Sequence, residues 1–229
     1  MAEQPSNPRI VQIERAGREL RTPRSAAIAG ILYSVLFGLV VLLIGTVFPG
    51  GLAEADPEQL SASRGIVTLA LALVPFAGIA FLWFIGVVRD VLGSFEDQFF
   101  STVFFGSGLL FLAMTFMASA IAGGILQAAM SGAAANDASL TFGRLVMYQL
   151  SHNYSVRMAG VFMLSLGTIW FRTGLMPRWL AILTLITAIS LIVVFGESFM
   201  ISLAFPGWVL LISLYILFRN RRAMPEAED

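Results

Sequence analysis

AAIAGILYSVLFGLVVLLIGTVF, residues 26–48, carries no charged side chain at any of its positions. As an α-helix rising 1.5 Å per residue it is roughly 35 Å long. The hydrocarbon core of a bilayer is about 30 Å thick. A helix satisfies its own backbone hydrogen bonds, which lipid cannot do, so a run of this kind predicts a membrane-spanning helix. Moving outward along the chain, comparable apolar runs predict further spans at 65–88, 99–127, 141–171, 179–195 and 199–218. The fourth is longer than a bilayer requires and polar in its first half. The turn Gly196-Glu197-Ser198 makes the last two a tight helical hairpin. Composition agrees. The chain is 58% apolar with a mean hydropathy of +0.84, above the roughly half apolar of soluble domains. The expected fold class is all-α, an integral membrane bundle of six transmembrane helices. The first 24 residues are polar, and the first apolar run is too long for a signal h-region, so no signal peptide is expected. No internal repeat stands out.

Missing residue types exclude several chemistries. The chain has no cysteine, hence no disulfide, thiolate metal site or iron–sulfur cluster. All 14 basic residues are arginine. Without lysine there is no Walker A loop and no Schiff base to a cofactor. One histidine supplies neither bis-histidine haem ligation nor an H-E-x-x-H zinc site. No cofactor and no metal are expected.

The arginines set the expected orientation. Six spans put both termini on one side, together with Arg9, Arg15, Arg18, Arg21, Arg24, Arg89, Arg172, Arg178, Arg219, Arg221 and Arg222. The other side holds Arg64 and Arg144. The termini are therefore placed in the cytoplasm, with a cytoplasmic arginine-rich segment at 1–24, the transmembrane domain at 25–219 and an acidic tail at 220–229. Trp83, Trp170, Trp179 and Tyr215 are expected as interfacial anchors. Ile10, Ile13, Gly17 and Leu20 fall near one helical face, giving either a short helix on the anionic inner leaflet or a disordered tail that sets topology. Asp56-Pro57-Glu58 reads as an N-cap with proline at the first helical position. It opens a helix expected to run through Arg64 into the second span.

One stretch breaks the apolar pattern. QLSHNYSVRM, residues 149–158, gathers Gln149, Ser151, His152, Asn153, Tyr154, Ser155 and Arg157. Counting up the helix from Arg172 places Arg157 about 22 Å above the inner boundary, inside the hydrocarbon. His152 comes out near the outer boundary. Arg157 either snorkels to the headgroups or turns into the bundle. In the second case Arg144, Tyr148, Ser151 and Ser155 form one row and Gln149, Asn153 and Arg157 an adjacent one, lining an outward-facing polar pocket. Glu197, in the same leaflet, is the natural partner of Arg157 or His152, and Gln127 leaves the third span at that level. The candidate ligand-binding residues are Arg157, His152, Tyr154, Tyr148, Glu197 and Gln127.

Phe105-Gly106-Ser107-Gly108 is faintly similar to the Gly-Ser-Gly of intramembrane serine proteases. Ser107, however, lies about 12 Å above the inner boundary and His152 about 30 Å above it, too far apart for nucleophile and base. Small residues here, and at Ser119/Gly123 and Ala120/Gly124, are expected to let helices approach closely. Asp90, Glu96 and Asp97 read as a solvated inner loop.

RSAAIAGILY, opening the first span, and FRTGLMPRWLAIL, joining the fourth and fifth, resemble a broad family of uncharacterised bacterial six-helix membrane proteins. The middle, FLWFIGVVRDVLGSFEDQFFSTVFFGSG, looks more like actinobacterial membrane proteins. Neither resemblance implies an activity. The expected function is a non-enzymatic multi-pass protein that binds a lipid or small amphiphile, or an accessory subunit of a membrane complex. The alternative is a small transporter with an outward-facing polar cavity. Expected partners are membrane lipids and another membrane protein or a second copy of the chain; no nucleic-acid partner is expected.

Overall fold

A computed structural model of the chain describes residues 8–48, 51–92, 98–131, 138–193 and 199–222. Among them the fold is all-helical. The helices are α1 (Pro8–Val47), α2 (Pro57–Ala62), α3 (Arg64–Leu92), α4 (Gln98–Met130), α5 (Ala138–Tyr148), α6 (Val156–Thr173), α7 (Arg178–Val193) and α8 (Phe199–Arg222). A π-helical segment, Gln149–Ser155, joins α5 to α6. Five stretches are long and apolar enough to cross a membrane: Arg24–Val47, Arg64–Asp90, Phe99–Met130, Ala138–Thr173 and Ile201–Arg219. The apolar α7 is shorter.

Local chemistry sets the helix ends. The α1 backbone runs unbroken from Pro8 through the arginine-rich stretch into the apolar run. The Val47 carbonyl, at its end, accepts from Gln59 Nε2 at 3.0 Å. Pro57 opens α2 after Asp56, as expected, but the Asp56 carboxylate makes no capping bond and the helix breaks at Ser63 instead of running on. The Arg172–Arg178 turn behaves as read. Gly174 adopts φ +67°, its N–H donates to Trp170 O, and α7 starts after Pro177. A left-handed glycine just past the last helical residue is the ordinary helix stop.

Successive long helices alternate in direction. At one end Arg89 lies over the Phe105 ring at 4.6 Å, Arg172 over Phe100 at 5.6 Å, and Arg219 donates to Leu175 O at 2.7 Å. The far end closes around Phe48, Leu60, Leu126, Met147 and Leu150. Between them α1 packs on α3 and α8, and α6 packs on α4 and α7. The tight hairpin expected of α7 and α8 is corrected: α8 lies chiefly against α1 and α7 against α6. The two meet at Trp208 Nε1, which donates to Thr184 Oγ1 at 2.9 Å. The turn itself, with Glu197, is outside the described residues.

Missing side chains decide these pairings. A Cβ on Gly30 would lie 2.0 Å from Ser213 Oγ of α8, and one on Gly160 would lie 3.0 Å from the Ala188 carbonyl of α7. Gly167 meets Thr184 and Leu185 one contact further along. The Ala120/Gly124 pair does not act this way: both face outward. At the arginine end the core is aromatic. Phe81 sits at its centre, ringed by Tyr33, Phe84, Phe111, Phe162 and Phe205, and Trp170 stacks on Trp208. Trp170, 4% exposed, is therefore a core residue and not the interfacial anchor expected. Trp83 and Trp179 do face outward.

Candidate functional site

Between the aromatic core and the far end lies a cavity of about 230 Å³. Several elements build it, each bringing a different surface. The C-terminal half of α1 and the start of α3 supply an aliphatic wall of Val40, Val41, Ile44, Ala70, Leu71 and Val74. Phe37, Phe111 and Phe205 form an aromatic floor, with Phe111–Phe205 centroids 4.8 Å apart and Phe37–Phe111 6.2 Å. The facing wall is polar: Thr115 and Ser119 from α4, Tyr148 at the end of α5, Ser151, His152 and Ser155 from the π segment, and Ser202 from α8. Among the described residues this lining holds no arginine, aspartate or glutamate. Many of the lining residues, including Val41, Ile44, Gly45, Ile201 and Ser202, are only partly buried, so the cavity is reached from outside.

Two helical stretches that frame the cavity depart from regular α-helical bonding beside it. The run QLSHNYS leaves α-helical geometry for a π segment, a rare form that recurs at functional sites. In α8, Pro206 has no N–H, so the carbonyl four residues earlier, at Ser202, receives no bond from it. Both Ser202 and Pro206 line the cavity.

The polar wall is a connected set. The Thr115 hydroxyl donates to Phe111 O at 2.8 Å and lies 3.1 Å from Ser155 Oγ. The Ser119 hydroxyl donates to Thr115 O at 2.8 Å. Ser151 Oγ lies 2.9 Å from Met147 O and 2.8 Å from His152 Nδ1. A hydroxyl has one proton. Given to Met147 O, it leaves Ser151 Oγ to accept from Nδ1–H, which fixes the imidazole tautomer. The imidazole stacks on Tyr148, 4.7 Å between centroids and 14° between planes. The Ser151–His152 contact has the length of a nucleophile–base pair, but a base must take the nucleophile's proton. Ser151 Oγ also lies within bonding distance of the Met147 and Tyr148 carbonyls, which compete with the imidazole for its proton.

The sequence-derived candidates separate. His152 and Tyr148 line the cavity. Arg157 lies on the adjacent row, part-buried, and donates to Asn153 O at 3.0 Å and Asn153 Oδ1 at 3.1 Å. Asn153 in turn donates to Gln149 Oε1. This second row bonds along its own helix and does not contribute to the cavity lining. Tyr154, 56% exposed, and Gln127 face outward. Glu197 lies outside the described residues, as do Glu96 and Asp97. Ser107 is away from the cavity, and its buried hydroxyl donates to Val103 O at 2.7 Å. Sequence reading missed Thr115, Ser119, Ser202 and the three phenylalanines of the floor. Thr115-x-x-x-Ser119 and the proline within the last span were the signals available.

No family model matches the chain, and no curated protein and no solved structure matches it either.

Proposed function

We propose that the chain is a non-enzymatic membrane protein that binds a lipid or small amphiphile in this cavity. The observation that carries the reading is the cavity's division: an aliphatic wall and aromatic floor on one side, a wall of neutral hydroxyls and one imidazole on the other. A molecule with an apolar body and a small polar head matches both surfaces. The alternative, a transporter, is disfavoured by the aromatic core, which fills the bundle between the cavity and the arginine end. Native mass spectrometry of the purified protein tests the reading. A small amphiphile should remain bound to the wild type and be lost from Ala118→Trp, whose indole would occupy the cavity beside Thr115. An identical spectrum for the two proteins would sink the proposal.

In the same reading α7 completes six passes in a bacterial cytoplasmic membrane, with both termini in the cytoplasm. Arginine asymmetry supports this: Arg89, Arg172, Arg178 and Arg219 gather at one end, Arg64 and Arg144 at the other. Single cysteines at Ser61 and Ser139, both exposed, should react with an impermeant thiol reagent in intact spheroplasts, and a cysteine at Asp90 should react only after lysis. The reverse pattern would invert the topology.

A further inference from the structure

We infer that Arg144 is the head-group site of the same cavity: it holds the oxyanion of an anionic amphiphile, a phosphate in a membrane lipid, whose chain lies among the cavity's apolar residues. The inference rests on the proposed occupancy of the cavity by an amphiphile. It adds the charge of the head and the direction in which the molecule lies.

Arg144 stands on the inward face of α5. Leu140, four residues before it, and Met147, three after, are both buried, and the adjoining Gly143 faces Ile121 and Ile125 of α4 at 3.8 Å. Among the described residues the buried Nε of Arg144 has no hydrogen-bond partner. The described acidic side chains of that end, Glu54, Asp56 and Glu58, are all exposed. A guanidinium nitrogen that has given up water without gaining a bond is costly. A planar, permanently charged fork of donors recovers that cost best on an oxyanion. The residue is half-buried overall, so the guanidinium is still open to a ligand. Its place relative to the cavity supplies the rest of the molecule. Met147 and Tyr148 line the cavity, and residues three and four apart on a helix are neighbours, about 5–6 Å between Cβ atoms. Arg144 is therefore one turn beyond the cavity wall, on the side away from the arginine end. A helical side chain leans toward the helix N-terminus, which carries the charge further outward. Going inward from Arg144, the surfaces run from fixed positive charge, through the neutral groups of Tyr148, Ser151, His152 and Ser155, to the phenylalanine floor. A single-chain lipid has the same order: phosphate, glycerol ester, hydrocarbon. The neutral wall suits such a linker whichever way its hydroxyl protons are turned, because glycerol and ester together offer a donor and acceptors. Arg64, also of this end, is exposed and lies on a different helix.

The test is the binding of tritiated oleoyl lysophosphatidic acid to the full-length protein in uncharged detergent. Three competitors are compared: the unlabelled lipid, monoolein, which keeps the glycerol ester and chain but lacks the phosphate, and inorganic phosphate, which lacks the chain. The lysophosphatidic acid should displace the label roughly tenfold better than monoolein, the worth of one charge-assisted hydrogen bond. Inorganic phosphate should displace it only weakly. Arg144→Met keeps the stem and removes the charge, so the preference should vanish while monoolein binds as before. Arg64→Met should leave the preference in place. In wild type, added salt should weaken the acid and spare monoolein, a readout that does not depend on the folding of a variant. Without lipid, Arg144→Met should be as stable as wild type or more so. Equal competition by the two lipids, with binding lost in Ala118→Trp, or a preference that survives Arg144→Met, would overturn the Arg144 assignment and leave the cavity as an amphiphile site. Inorganic phosphate that displaces as well as the lipid would overturn it in favour of a free-anion site. Asp137, outside the described residues, is the rival within the chain. If Asp137→Asn and Arg144→Met each lower lipid-free stability and their losses do not add, the chain supplies its own anion and the assignment falls. Label that fails to bind wild type would overturn the assignment, and label that binds Ala118→Trp as tightly as wild type would remove the reading beneath it as well.

Discussion

Phe81→Ala is expected to lower the thermal stability of the protein in detergent more than any other single truncation. The side chain is fully buried, and its ring lies 4.7 Å from Tyr33, 5.4 Å from Phe111 and Phe162, and 5.5 Å from Phe205, centroid to centroid. These partners come from α1, α4, α6 and α8, so one ring ties α3 to nearly the whole bundle. Buried Phe→Ala changes cost about 3–5 kcal/mol in soluble cores. In a membrane protein the unfolded helices still sit in lipid, so the transfer part of that cost is reduced while the lost packing remains. About 3 kcal/mol is the expected loss. Phe76→Ala is the control. It lies on the same helix but is 62% exposed, and its unfolding midpoint should stay close to wild type. Equal losses at the two positions would show that the ring cluster is not what holds the helices together.

The second large effect is expected at Gly160. A Cβ there would come 2.7 Å from Ile192 Cγ1 and 3.0 Å from the carbonyl oxygen of Ala188. The isoleucine can rotate away, but the carbonyl belongs to the α7 backbone, so valine must push the helix itself. Overpacking of this kind costs typically about 1–3 kcal/mol. It should also disturb the cavity, because Ala159 and Leu191, on either side of that contact, both line it. Gly160→Val is therefore expected to lose both stability and bound amphiphile. Gly106→Ala supplies the contrast. Nothing lies within 4 Å of the point where the new methyl group would sit, and replacing a mid-helix glycine relieves backbone entropy by roughly 0.5–1 kcal/mol, so that variant should be unchanged or slightly more stable. A Gly160→Val protein as stable as wild type would mean that α6 and α7 do not pack as closely as described.

The length of the apolar runs made the long helices readable, and the Gly174 stop and the Pro57 start were readable from residue type. Helix pairing was not. α1, α7 and α8 are apolar nearly all round, and lipid is as apolar as a neighbouring helix, so no periodicity marks which face is inward. That is why Trp170 looked interfacial and why α8 was assigned to α7. The polar run at 149–155 was recognisable as unusual, and Tyr148, Ser151 and Ser155 fell on the expected row. Arg157 drew attention because charge is conspicuous in an apolar sequence, yet the hydrogen bonds it makes to Asn153 are local. Thr115 and Ser202 are inconspicuous alone. They matter only because folding brings α4 and α8 to the same cavity as His152.

The aromatic floor has a thermodynamic consequence. With Phe37, Phe111 and Phe205 closing the cavity toward the arginine end, a guest bound as proposed would leave by the mouth through which it entered. On the proposed reading, occupancy would follow the abundance of the guest in the surrounding membrane through a simple saturation curve, half-filled when that abundance equals the dissociation constant. Occupation in turn stabilises the filled fold by mass action. If the proposed binding holds, a bundle hollow at one end and solid at the other would suit gauging the amount of a membrane component, with the solid end as the frame against which filling is registered.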